Sequence, residues 1–142
     1  MQHRVFVYGT LKKGFPNYTH YMTSAGFLGR YQTMEKYSLV LFGSRYVPGM
    51  LDRPGVGHHI EGELYEVNDD CLAGIDALEG IHEPDGYRRR TISVKSMDKV
   101  EPDQKHAYAY LLNPQLVKDI RSSHLPVYDK QAAARYEPRT KA

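Results

Sequence analysis

The strand-like runs of this chain do not alternate with helical ones, which argues against a doubly wound parallel sheet. Arg4–Tyr8, Phe27–Thr33, Ser38–Phe42, His59–Val67, Tyr87–Ser96 and His106–Leu112 are rich in β-branched, aromatic and apolar residues, and turn residues separate them. Val47–Leu51 reads as a short extended piece broken by Pro48 and Gly49, and Pro54–Gly57 as a turn. One clear amphipathic helix follows Asn68-Asp69-Asp70, with Leu72, Ile75 and Leu78 as its apolar stripe and Gly80 at its C′ end. A shorter helix, N-capped by Asn17, places Tyr18, Tyr21, Met22 and Ala25 on one face. A further turn or short helix fits after Pro114. The expected fold is α+β: a small, mostly antiparallel β-barrel of about six strands with flanking short helices. The 142 residues are read as one domain, 1–142, with one hydrophobic core. Residues 98–105 read as a polar, Pro-containing loop, and the polar tail 135–142 is expected to pack loosely.

Composition narrows the function. A net charge of +2 is too small to suggest nucleic-acid binding. Arg88-Arg89-Arg90 lies in a strand, so its side chains alternate between faces and read as a solvated or locally paired cluster. A mean hydropathy of −0.59, without any apolar run of about 18 residues, speaks against a membrane-spanning helix. One cysteine, Cys71, permits no internal disulfide and reads as a core residue. The first residues run straight into a strand, without a secretory leader pattern. The expected setting is cytoplasmic, with no nucleic-acid or membrane partner; the pattern leaves the oligomeric state open. His58 and His59 point to opposite faces of a strand, and the other histidines lack helical ligand spacing. Neither a metal nor any other cofactor is expected.

Two segments can carry chemistry. Tyr8-Gly9-Thr10-Leu11 takes a buried strand through a glycine into a loop. Such a turn can expose consecutive backbone N–H groups to a carboxylate or an oxyanion. Gly9 is expected to supply positive φ there and to leave room for close approach. An ordinary strand-to-loop turn fits the same letters. Glu79 sits in the last turn of the amphipathic helix, at the edge of its apolar face. The negative end of the helix dipole and partial burial both raise a carboxyl pKa, which suits a general acid/base. A surface glutamate fits the pattern too.

Taken together and in order, Val5–Asn17, Glu61-Gly62-Glu63-Leu64-Tyr65, Ile75-Asp76-Ala77-Leu78-Glu79-Gly80 and Tyr87-Arg88-Arg89 resemble the gamma-glutamylcyclotransferase-like superfamily. The continuation Lys13-Gly14-Phe15-Pro16-Asn17 and the tail Tyr128-Asp129 with Arg135-Tyr136, Pro138 and Arg139 are most similar to its gamma-glutamylaminecyclotransferase branch. The resemblance implies a small barrel and a γ-glutamyl substrate, whose α-amine attacks its own γ-carbonyl to give 5-oxoproline and a free amine. It implies Glu79 as the catalytic carboxylate and Tyr8, Gly9, Thr10 and Leu11 as the substrate-binding loop. Tyr87 or Tyr110 would add a hydroxyl to the pocket; plain strand packing explains both equally well. Action on γ-glutamyl amino acids, glutathione or another γ-glutamyl metabolite is an alternative, as is a non-catalytic small-acid binding module. A carboxylate beside an anion site counts against the last.

Overall fold

The computed structural model describes residues 1–100 and 103–138. Its strands are β1 (His3–Val7), β2 (Gly26–Tyr37), β3 (Leu39–Phe42), β4 (Val47–Leu51), β5 (His58–Val67), β6 (Arg88–Ser96) and β7 (Gln104–Leu112). The helices are α1 (Tyr18–Tyr21), α2 (Asp69–Glu79) and α3 (Lys130–Ala133), with a 3-10 turn at Pro114–Leu116. The sheet order is β1-β5-β2-β6-β7-β4-β3, and a parallel β1–β7 pairing closes its first five strands into a barrel. The other barrel pairings are antiparallel.

The expected barrel is therefore present, closed by five strands, in a sheet of seven rather than about six. Val47–Leu51 is a full strand: it pairs antiparallel with β3 and parallel with β7. Pro48 is tolerated because β4 is short and Leu41 is its only cross-strand partner in the ladder. β2 extends beyond Thr33 to Tyr37 through a register irregularity between Gln32 and Lys36. Thr33 repairs the break. Its buried hydroxyl accepts from the Ile60 N–H at 2.9 Å and donates to the Glu35 carbonyl at 2.6 Å.

β1 is buried on both faces, which explains its unbroken apolar run. Phe6 and Tyr8 join Tyr31, Leu64, Ile92, Ala109 and Tyr128 inside the barrel. Val5 and Val7 point outward, where Met22, Leu72 and Ile75 cover them together with Tyr65 and Val67 of β5. α2 forms as its caps dictate. The Asn68 side chain accepts from the Cys71 N–H at 2.8 Å, and Gly80 ends the helix at φ 66. Cys71 is half-buried, and burial raises its thiol pKa, so it is the packed residue the sequence suggested. Asn17 is different: it stands at the start of α1 without a capping hydrogen bond.

The tail corrects another expectation. α3 is N-capped by Asp129, and Tyr128 is fully buried. Lys12, itself buried, donates to the Tyr128 carbonyl at 2.5 Å. Residues 135–138 are tied down by Glu137 N–H to the Arg45 carbonyl (3.0 Å) and Tyr136 N–H to the Ala133 carbonyl (3.0 Å). Arg139–Ala142, and Glu101 with Pro102 in the loop 98–105, lie outside the described residues. Within that loop Gln104 and Lys105 already belong to β7.

Thr33→Val keeps the shape but strands the Ile60 N–H and the Glu35 carbonyl. Its expected cost is about 1–3 kcal/mol, read by urea denaturation. A loss below a few tenths would show that the hydroxyl does not repair the irregularity.

Candidate active site

The cleft originates where two strands compete for one edge of β7. Val5 pairs with Tyr108, whereas Met50 pairs with Leu111 further along the same strand. β1 therefore has to leave the sheet as β4 joins it. Tyr8 closes the fork: its hydroxyl donates to the Tyr110 carbonyl (2.8 Å) and accepts from the Met50 N–H (3.0 Å). Beyond the fork the chain turns through Gly9, and a cleft of about 890 Å³ opens. That volume suits a dipeptide-sized ligand.

Every site residue proposed from the sequence lines this one cleft: Tyr8, Gly9, Thr10, Leu11, Glu79, Tyr87 and Tyr110. The loop is braced from behind. Lys12 N–H bonds the Gly9 carbonyl (3.1 Å) and Asn17 N–H the Thr10 carbonyl (2.9 Å), while the Asn17 amide donates to the Thr10 hydroxyl (2.8 Å). The N–H groups of Gly9, Thr10 and Leu11 find no acceptor among the described residues. Three consecutive unfilled donors, two of them on buried residues, are what an anion could bind.

Gly9 serves this loop differently from the expectation. Its φ is not positive. What crowds a side chain is Pro48, whose Cγ would lie 3.0 Å from an added Cβ, so the ring would have to give by a few tenths of an ångström. The glycine lets the loop pass close over β4.

Glu79 reaches the same cleft from the end of α2. The turn that follows folds back, with Tyr87 N–H on the Glu79 carbonyl at 3.0 Å, and sets Tyr87 beside it. Glu79 is half-buried on the cleft wall, and burial pushes its carboxyl up to about 8. Among the described residues no cation offsets that push. Burial, with Glu79 nearby, also raises the phenols of Tyr8 and Tyr87, so both stay protonated.

Those phenol protons are already committed. Tyr87 donates to the Pro48 carbonyl (2.7 Å) and Tyr110 to the Asp76 carboxylate (2.6 Å), which also holds Arg89 at 2.5 Å. Tyr87 and Tyr110 thus line the cleft, but neither offers a spare proton; toward a ligand their oxygens can only accept. Arg89 and Arg90 are locally paired, with Asp76 and Asp52 respectively. Sequence reasoning missed the rest of the lining. Arg45, Val47 and Pro48 come from β4 and the turn before it, and Asn17, His20 and Tyr21 from the loop and α1. Tyr136 and Pro138 come from the tail, whose motif was the one available signal. Among the described residues no three His, Cys, Asp or Glu side chains gather as metal ligands, and no helix is long and apolar enough to cross a membrane.

Comparison with known proteins gives the family. The family described as gamma-glutamyl cyclotransferase, AIG2-like, matches residues 5–130. The chain belongs to that family. It is 36% identical over 141 residues to the gamma-glutamylaminecyclotransferase of Bos taurus, covering 95% of this chain and 82% of that protein. The crystal structure of an aig2-like protein from Mus musculus superposes with a TM-score of 0.83 at 30% identity, over 99% of both chains. A gamma-glutamyl cyclotransferase structure at 15% identity shares the fold alone, with a TM-score of 0.66 over 84% of this chain and 70% of that one. This cyclotransferase-family chain is accordingly an enzyme, and the braced loop together with Glu79 is its candidate active site.

Gly9→Ala drives a methyl group against the Pro48 ring and through it disturbs the Pro48 carbonyl that holds Tyr87. Calorimetric affinity for 5-oxoproline is expected to fall about tenfold or more, a loss of about 1.4 kcal/mol, in protein whose circular dichroism is unchanged. Unaltered binding would mean that the loop is a plain turn.

Proposed function

We propose that the protein is a gamma-glutamylamine cyclotransferase, which converts a γ-glutamyl amine such as γ-glutamyl-ε-lysine to 5-oxoproline and the free amine. One observation carries the mechanism: a half-buried carboxyl, Glu79, with its pKa pushed up to about 8, shares a cleft with three unfilled backbone donors. The relative that covers 95% of this chain, named for action on γ-glutamylamines, supports the substrate class.

The chemistry needs those parts. Near neutral pH the substrate α-amine is an ammonium ion and cannot attack. Ionised Glu79 takes a proton from it, and the oxygens of Tyr87 and Tyr8, their protons committed elsewhere, favour the N–H-rich nitrogen. The freed lone pair attacks the γ-carbon, and the carbonyl oxygen becomes an oxyanion. The N–H groups of Gly9, Thr10 and Leu11 are placed to hold developing or standing negative charge, on that oxygen or on the α-carboxylate. Protonated Glu79 then returns its proton to the departing nitrogen as the C–N bond breaks. Over one turnover two protons pass from the attacking to the departing nitrogen, and one carboxyl that takes and gives in turn carries both. No external nucleophile is required, so holding the glutamyl chain curled contributes much of the acceleration.

Incubation of the protein with γ-glutamyl-ε-lysine, γ-glutamyl-alanine and glutathione, followed by 5-oxoproline detection, tests the reading. The first should be turned over best; faster turnover of glutathione would reassign the substrate.

Glu79→Gln keeps the shape and loses the proton acceptor. It should lower kcat by about a hundredfold or more, the usual range for a general acid/base being roughly 10²–10⁴. A variant keeping a tenth of the wild-type rate would remove Glu79 from the role of base. In the wild-type protein, kcat/KM should fall about tenfold per pH unit below about 8, as the free carboxyl protonates.

Stability should move the other way. The folded pKa lies above the unfolded value of 4.5, so the folded state binds the extra proton. The contribution of Glu79 is fully present below 4.5 and is lost as pH rises toward 8. The Tm of Glu79→Gln should therefore gain on that of wild type across this window. Parallel Tm curves would mean an unshifted carboxyl.

A further inference from the structure

The charges of the cleft are set apart. Glu79 stands on one wall with no cation among the described residues to offset its burial. Arg45 lines the cleft from the turn between β3 and β4, and no carboxylate among the described residues pairs with it. Its Nη1 donates to the Glu137 carbonyl at 3.2 Å. A guanidinium has five N–H donors, so most are left open. Arg45 stands on a different element from Glu79, which ends α2, and from the donor loop after β1.

The surroundings keep it there. Its backbone carbonyl accepts from the Glu137 N–H. The next residue, Tyr46, is held at φ 53, a left-handed conformation that costs an aromatic residue energy. Two more guanidiniums, of Arg121 and Arg135, lie 5.3 and 5.4 Å from the Tyr46 ring centre and hold its phenol below the ordinary value. Asp119 neutralises Arg121; no described carboxylate pairs with Arg135. Arg45 itself lines the cleft, and the strained turn residue Tyr46 follows it directly.

A guanidinium with open donors on a cleft wall matches a carboxylate better than any other small group. The substrate can carry two carboxylates, the α-carboxylate of the glutamyl part and one on the departing amine. Ring closure curls the glutamyl part next to Glu79 and the three loop donors, which leaves Arg45, on a separate turn, to the departing amine. Resting on the cyclotransferase reading above, we propose that Arg45 is a specificity-determining residue that binds a carboxylate on the departing amine. The preferred substrates would then release an amino acid rather than a plain alkylamine or polyamine.

The test uses two conjugates that differ only in that carboxylate, γ-glutamyl-ε-lysine and γ-glutamyl-cadaverine. The wild-type protein should favour the lysine conjugate in kcat/KM by about tenfold or more, the scale of one charge-assisted hydrogen bond. In Arg45→Gln that ratio should collapse toward one, mainly through a higher KM for the lysine conjugate, and Arg45→Lys should restore part of it. The ratio separates charge recognition from the hold on the tail, because a loosened tail would slow both substrates alike. An equal fall on both substrates, or a wild-type protein without preference, would overturn the proposal. If the wild-type protein forms 5-oxoproline from neither conjugate nor from γ-glutamyl-alanine or glutathione, the reading of the reaction fails, and this inference fails with it.

Discussion

The Tyr8 hydroxyl holds together the point at which this fold becomes a site. β7 offers one edge to two parallel neighbours, β1 along its first half and β4 along its end. Neither can continue, so backbone groups at the fork lose their ladder partners. One phenol, buried and kept neutral, accepts from the Met50 N–H and donates to the Tyr110 carbonyl, and so replaces the missing pairing. The loop that leaves the fork is then fixed at its root, and the residues that carry its unfilled N–H groups line the cleft.

Around that fork, polarity is arranged by commitment. The protons of Tyr8, Tyr87 and Tyr110 go to Tyr110, Pro48 and Asp76, which leaves oxygens that can only accept. The loop offers only donors. Between them stands a single carboxyl kept near neutral pKa by burial. A zwitterionic head, ammonium at one side and carboxylate at the other, matches this division without any side chain having to reorganise. A buried carboxyl weakens the fold at the pH where it ionises, a cost that proteins accept at functional positions.

Much of this was legible in the chain because it is local. The apolar run of β1, the stripe Leu72, Ile75 and Leu78, the Asn68 cap and the Gly80 terminus each depend on neighbours within a few residues. Glu79 at the helix end and the loop after Tyr8 were visible for the same reason. Gly9 was visible, but its reason was not. Its conformation is ordinary, and the crowding that favours glycine comes from Pro48, some forty positions along the chain. Asn17 looked like a cap and instead braces Thr10, because the loop folds back on itself.

What only the tertiary structure decided is every relation across the barrel. The chain by itself determined which segments are strands and helices, where they stop, and which residues are chemically equipped, since backbone propensity, capping and periodicity act over a few residues. It did not determine that Val47–Leu51 would pair with β7 and make the fork, nor that Tyr136 and Pro138 would wall the cleft. Nor did it show that Arg45 would face the cleft while Arg89 and Arg90 turn to Asp76 and Asp52. Those outcomes follow from strand register and from long-range hydrogen bonds. Such contacts form between groups far apart in sequence, and their geometry exists only once the barrel has closed.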